Sequence, residues 1–255
     1  MLNSLFSAFL MYSRLPVPKV EWKEENRRYS LGFFPLVGAV IGVALLGWHW
    51  LAHRLNLNPF LLGTVSALIP VAVTGGIHLD GFCDVSDALA SCGDKDKKLS
   101  IMSDPHLGSF ALIRLCVCMM MFSAILSQLS RETAAVCACV FVLSRSLSGL
   151  SAVSMRAAKS TGTLQSFVQP AQRWTVIAME ALFIAISGTL MIALGGLPGA
   201  CAIVAAAAVL WYCKSVAYRN FGGISGDVCG WFLVLCEVWS CAAAVFSEKI
   251  LEVLR

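Results

Sequence analysis

Between Gly75 and Asp87 the chain reads Gly-Gly-Ile-His-Leu-Asp-Gly-Phe-Cys-Asp-Val-Ser-Asp, a concentration of carboxylates directly after a long run with almost no charge. A helix begun near Leu79 puts Asp80, Asp84 and Asp87 at i, i+4 and i+7, so all three acids lie along one face. Anionic oxygens lined up in this way suit a hard cation. Magnesium fits best, because it binds through a few carboxylates and completes its octahedron with water and phosphate oxygens. The competing explanation is a solvated acidic face beside a membrane, neutralised by Lys95, Lys97 and Lys98. Spacing alone leaves both open.

Other polar signals stand far from this stretch. In Ser103-Asp104-Pro105-His106-Leu107-Gly108, Asp before Pro predicts a helix start with Asp104 as N-cap. A fourth metal ligand would account for Asp104 equally well, and His106 is a candidate to accept or pass on a proton. The run Arg219-Asn220-Phe221-Gly222-Gly223-Ile224-Ser225-Gly226-Asp227 places glycines before a helix start, where backbone N–H groups can close around a phosphate. Asp227 there is either the N-cap or another magnesium ligand. Arg14 is a contact for an anionic substrate or a topology-fixing charge. Arg114 and Arg145 fall inside apolar runs, where a charge costs at least ~2.5 kcal/mol unless paired or hydrated. Arg114 is shallow enough to snorkel. Arg145, flanked by Ser144, Ser146 and Ser148, binds a phosphate or pairs with Glu180 or Glu237.

These residues need a frame, and composition says which. Hydrophobic residues make up 58% of the chain, charged ones 13%, and the mean hydropathy is +0.77, against about 25% charged residues in a soluble domain. Apolar runs recur at Phe33–Leu51, Phe60–Ile77, Ser109–Leu129, Thr133–Val153, Trp174–Leu194, Leu197–Ala217 and Val228–Phe246. Each is near the ~20 residues that a spanning helix requires. The expected fold is an all-α polytopic bundle of about seven spans, one membrane domain over residues 1–255, with lipid as its surroundings. Pro70 and Thr74-Gly75-Gly76 predict a break in the second span. Gly38 and Gly42 form a Gly-x-x-x-Gly pair for close helix packing. Met1 to Tyr12 is apolar but short, fitting an interfacial or re-entrant helix stopped by Pro16 and Pro18.

Seven spans put thirteen Lys and Arg in loops on the N-terminal side and four (Arg54, Arg131, Lys249, Arg255) on the other, which predicts a cytoplasmic N terminus. The carboxylate stretch, the Asp104–Gly108 turn, the Arg156–Thr163 loop and the Asn220–Asp227 loop then share the cytoplasmic side. The net charge of +4 restates that bias and implies no nucleic-acid partner. Most of the eleven cysteines sit in apolar runs with no Cys-x-x-Cys pair, and read as packing residues.

Taken in order, Arg14-Leu15-Pro16-Val17-Pro18, Phe34-Pro35-Leu36-Val37-Gly38, Gly75-Gly76-Ile77-His78-Leu79-Asp80-Gly81 with Asp84 and Asp87, Asp104 with Leu107-Gly108, Ser144-Arg145, and Gly222-Gly223-Ile224-Ser225-Gly226-Asp227 resemble the cobalamin-5'-phosphate synthase family, also called adenosylcobinamide-GDP ribazoletransferase. The resemblance covers nearly the whole chain, and its Gly-Gly-x-His-Leu-Asp-Gly-x-x-Asp segment is specific. It implies a multi-pass enzyme of a bacterial or archaeal cell membrane, acting in the last step of vitamin B12 assembly. Such enzymes join adenosylcobinamide-GDP to alpha-ribazole or its 5'-phosphate, release GMP and require Mg2+. Two departures stand out: relatives read Asp-Ser-Arg-Leu-Gly where this chain has Asp104-Pro105-His106-Leu107-Gly108, and Val234 replaces an acid one turn before Glu237.

The implied transfer needs charge neutralisation on a diphosphate, in-line positioning and a proton acceptor. On this reading Asp80, Asp84 and Asp87 hold magnesium, Asp104 and Asp227 complete the site, Arg145 meets phosphate charge, and His78 and His106 compete as proton acceptor. Arg14, Asn220, Gly222, Gly223 and Gly226 contact substrate. Trp22, Phe33, Phe34, Phe82 and Phe221 offer apolar surface to the corrin ring, and a homo-oligomer is left open. Two other readings compete. A CDP-alcohol phosphotransferase needs Asp-Gly-x-x-Ala-Arg, but Asp80-Gly81 continues to Asp84-Val85. An ion-coupled transporter suits the broken second span with Arg145, Glu180 and Glu237, but the chain shows no internal repeat.

Overall fold

The computed structural model describes residues 1–158 and 162–254. Lys159 and Arg255, used in the charge count, and the middle of the Arg156–Thr163 loop lie outside them. Regular structure among the described residues is helical, save one isolated bridge between Ala157 and Ile224. Helix α1 (Leu2–Tyr12) is too short to span, as its sequence predicts, and the backbone turns extended at Ser13. Arg14 N–H then donates to the Val73 carbonyl at 2.8 Å, one of the acceptors freed where a spanning helix is interrupted. After the short α2 (Glu24–Arg27), α3 (Phe34–Arg54) is the first span.

The second span is broken more sharply than its apolar run suggests. The run extends to Ile77, but α4 (Pro59–Thr74) stops where Gly75 and Gly76 take φ of +69° and +83°. Side chains are strained in that region, and glycine is not. The chain bends by 98°, and α5 (Ile77–Ala90) carries the acids, starting two residues earlier than expected. A short α6 (Lys95–Ile101), capped by Asp94, precedes α7 (Ser109–Leu126) and α8 (Arg131–Ser154). Then come α9 (Thr163–Val168), α10 (Arg173–Gly195), α11 (Leu197–Asn220) and α12 (Gly226–Val253). Among the described residues six helices are long and apolar enough to cross a bilayer, or seven where the bent pair counts as one span.

Helices α8 and α12 form the buried centre, while α7, α10 and α11 turn Leu, Ile, Met and Trp side chains outward. Two close approaches set this arrangement. On α3, a Cβ at Gly42 would lie 2.6 Å from the Ala138 carbonyl, and one at Gly38 would strike that of Phe141, so the Gly-x-x-x-Gly pair seats α3 on α8. On α5, a Cβ at Gly81 would lie 2.8 Å from the Asp227 backbone, and one at Gly230 of α12 would lie 3.1 Å from the His78 carbonyl. The carboxylate helix therefore rests directly on the start of α12.

Gly42→Ala is expected to lower stability by about 1–3 kcal/mol, the usual scale of overpacking. Gly47→Ala, with nothing within 4 Å of the added carbon, leaves it unchanged. Thermal unfolding of the detergent-solubilised variants checks the contrast.

Candidate active site

Crossing α5 over the first turn of α12 at Gly81 brings acids remote in sequence to one place. Asp80 is exposed, Asp84 and Asp227 are half-buried, and Asp84 feels the charges of Asp80, Asp227 and Asp87. Asp80 borders two cavities. A wide cleft of about 990 Å³ is lined by Arg14, Gly75, Asp80, Asp84, Asp104 and His106. A smaller one of about 230 Å³ is lined by Tyr12, Phe34, His78, Asp80, Phe167, Gly226 and Asp227. Among the described residues no three His, Cys, Asp or Glu side chains stand close enough to hold one metal ion between them. Magnesium does not require three: it commonly binds through one or two carboxylates and takes its remaining oxygens from water and substrate phosphate. Asp80 and Asp84, both on the wide cleft, offer the carboxylate oxygens that such an ion takes.

Three acids stand differently from what the sequence suggests. Asp87 lines neither cavity. One of its oxygens accepts from Gly108 N–H at 2.6 Å and the other from Ala111 N–H at 2.8 Å, so it caps α7 from a neighbouring helix. Asp104 is not a helix cap, because α7 starts at Ser109 with Gly108 as its N-cap. Asp104 instead closes a turn, accepting from His106 N–H at 3.0 Å and meeting His106 Nδ1 at 2.6 Å. That backbone N–H and the imidazole beside it hold its carboxyl below the usual carboxylate range. The N-cap of α12 is Ser225, whose hydroxyl accepts from Val228 N–H at 3.2 Å; Asp227 sits inside the first turn, at the edge of the small cavity.

Arg145 lines neither cavity. It is fully buried, its Nη1 bonded to Glu237 at 2.5 Å, to Ser144 Oγ at 3.1 Å and to the Phe141 carbonyl at 2.9 Å. Of its two expected carboxylate partners it takes Glu237. Glu180 is buried against Gly149 with neither oxygen hydrogen-bonded. His78 stands between, its ring edge-on to Phe34 at 5.8 Å and its Nε2 without a partner. Arg114 ties α7 to α5 through the Ser86 carbonyl at 2.6 Å.

Known proteins place this arrangement. The family model for cobalamin-5-phosphate synthase matches residues 4–245. The chain belongs to the cobalamin-5-phosphate synthase family. It is 38% identical over 250 residues to an adenosylcobinamide-GDP ribazoletransferase of Lachnoclostridium phytofermentans, covering 98% of this chain and 96% of that one. Proteins of the same name from Geobacillus kaustophilus and Clostridium botulinum (strain Alaska E43 / Type E3) are 30% and 28% identical, covering 89% and 92% of this chain and 89% and 94% of theirs. No solved structure matches the chain significantly. Membership in this family displaces both the transporter and the CDP-alcohol readings.

Within this member of the cobalamin-5-phosphate synthase family, Arg14 and Gly226 reach the cavities as the sequence suggests, while Asn220, Gly222 and Gly223 line neither. Their turn is held from outside. Lys98 donates to the Asn220 side chain at 2.7 Å, Arg156 Nε donates to the Gly222 carbonyl at 2.9 Å, and Ile224 N–H donates to the Arg156 carbonyl at 2.9 Å. Phe82 and Phe221, expected to offer surface to a ring, are buried. The wall of Tyr12, Phe34 and Phe167 has no local signature, because it is assembled from α1, α3 and α9.

Asp87→Ala is expected to lower stability by about 1–2 kcal/mol, the cost of losing a helix cap, with Asp87→Asn less affected. Arg145→Met costs about 3–5 kcal/mol by leaving Glu237 buried and uncompensated. Adding Glu237→Leu restores most of that loss. Unfolding midpoints of the purified variants check both series.

Proposed function

We propose that the chain is a membrane transferase that joins adenosylcobinamide-GDP to alpha-ribazole or its 5'-phosphate, forming adenosylcobalamin or its phosphate and releasing GMP. The observation that carries this reading is the meeting of Asp80, Asp84 and Arg14 in one open cleft, within a chain that matches the cobalamin-5-phosphate synthase model from residue 4 to 245. Relatives named for this transfer cover nearly the whole of it.

In the reaction a ribose oxygen bonds to the cobinamide-bearing phosphorus, the phosphorus–oxygen bond to GMP breaks, and the hydroxyl proton must be taken up. Asp80 and Asp84, with Asp227 beside them, would hold magnesium, which neutralises diphosphate charge when bound. Arg14 lies in the same cleft without a carboxylate partner among the described residues, and its guanidinium suits a phosphate oxygen. His106 is the proton acceptor that the geometry supports. Asp104 engages its Nδ1, which fixes the tautomer and leaves Nε2 as the basic atom at the cleft wall. His78 is the weaker candidate, its Nε2 being buried. The excess of basic residues on the N-terminal side, thirteen against four, supports a cell-membrane enzyme whose active face looks into the cytoplasm.

Purified protein given both substrates and magnesium is expected to release GMP, and chelation with EDTA to stop it until magnesium is restored. Asp84→Asn should remain folded and lose at least about a hundredfold in rate, the scale of removing a charge-stabilising group. Turnover undiminished by chelation, or near-native turnover by the variant, contradicts the metal assignment.

A further inference from the structure

The two cavities that meet at Asp80 differ in size and in chemistry. The wide cleft carries the charged groups Arg14, Asp84, Asp104 and His106. The smaller cavity, about 230 Å³, is walled by aromatic rings: Tyr12 lies 4.2 Å from Phe34 and 5.8 Å from Phe167, centroid to centroid. These rings are braced from outside. Trp22 meets Phe167 edge-on at 5.4 Å, and the Arg27 guanidinium lies over both, 5.8 Å from Trp22 and 6.0 Å from Phe167. One end of this aromatic chamber is polar, with Asp80 and Asp227 on its lining.

A pocket for a drug-sized ligand usually measures ~300–1,000 Å³, so this chamber takes something smaller, a single planar ring system with the start of its sugar. In-line transfer adds a second demand: the incoming oxygen and the departing group must reach one phosphorus from opposite sides. Two separate cavities that both border Asp80 give each group its own approach to a phosphorus held there. We infer that the aromatic chamber is the acceptor site, stacking the bicyclic base of the ribazole on the half-buried Tyr12 ring, with Phe34 and Phe167 packed behind it, and presenting its ribose hydroxyl at Asp80, while the nucleotide-activated donor occupies the wide cleft. This inference rests on the transfer reading above and assigns its two substrates to separate chambers.

Two substitutions test it. Tyr12→Ala removes the stacking face, and because Tyr12 is half-buried a second variant guards against misfolding: Thr163→Trp, at the exposed rim of the same chamber, fills it. Steady-state kinetics of both substrates, with equilibrium binding of alpha-ribazole alone to protein in nanodiscs, provide the readout. The expected result is a KM for ribazole raised at least about tenfold in both variants, a parallel loss in ribazole binding, and a donor KM within about twofold of the unsubstituted value; stacking of one base on an aromatic side chain has this scale. Unchanged ribazole binding in both variants overturns the assignment, as do equal losses for both substrates. Absence of turnover by the unsubstituted protein, by contrast, overturns the transfer reading itself.

Discussion

The site depends on one steric contact, the backbone of α5 lying on the backbone of α12 at Gly81 and Gly230. Any side chain at Gly81 would push Asp80 and Asp84 away from Asp227, and the acids would no longer share a floor. That contact in turn requires α5 to leave the direction of α4, which it does through two left-handed glycines. Bringing like charges together is unfavourable by itself, so the fold holds them by packing elsewhere.

The packing that holds them is visible at α8. Arg145 spans from α8 to Glu237 on α12, and the pair is buried, so neither helix can slide without exposing an unpaired charge. Gly38 and Gly42 bring α3 against α8, with Gly38 facing Arg145 itself. The start of α12, where Asp227 sits, is therefore fixed from within the bundle, and Asp87 fixes the C-terminal part of α5 to α7 through two backbone N–H groups. Arg145, Glu237, Arg114 and Asp87 lock helices together, whereas Arg14, Asp80 and Asp84 face the cleft.

That division is what the sequence could not convey. Hydropathy located the spans to within a few residues, and Thr74-Gly75-Gly76 marked the break, because both are local signals. The spacing of Asp80 and Asp84 placed them together at the cleft for the same reason. Asp87 continues that spacing and yet serves α7, since a cap donated from another helix leaves no trace in its own neighbourhood. Asp104 before Pro105 carries a standard helix-start pattern, but the competing bond to His106 makes a turn and delays the helix to Ser109. Arg145 was legible as a buried charge needing a partner; choosing Glu237 over Glu180 required the packing of α8 on α12. The Tyr12, Phe34 and Phe167 wall was invisible, because three helices distant in sequence each contribute one ring.

The interrupted second span has a further consequence for how the protein sits in lipid. At 16 residues, α4 rises about 24 Å, short of the roughly 30 Å hydrocarbon thickness of a bilayer. Set upright from one interface, it ends about 6 Å short of the other, with the glycines and the cleft they border at its tip. Water must follow the polar side chains down, or the leaflet must thin around them. Acyl-chain length then becomes a variable of the catalytic environment: thicker membranes deepen the well that a bulky corrinoid has to enter, and thinner ones raise its floor.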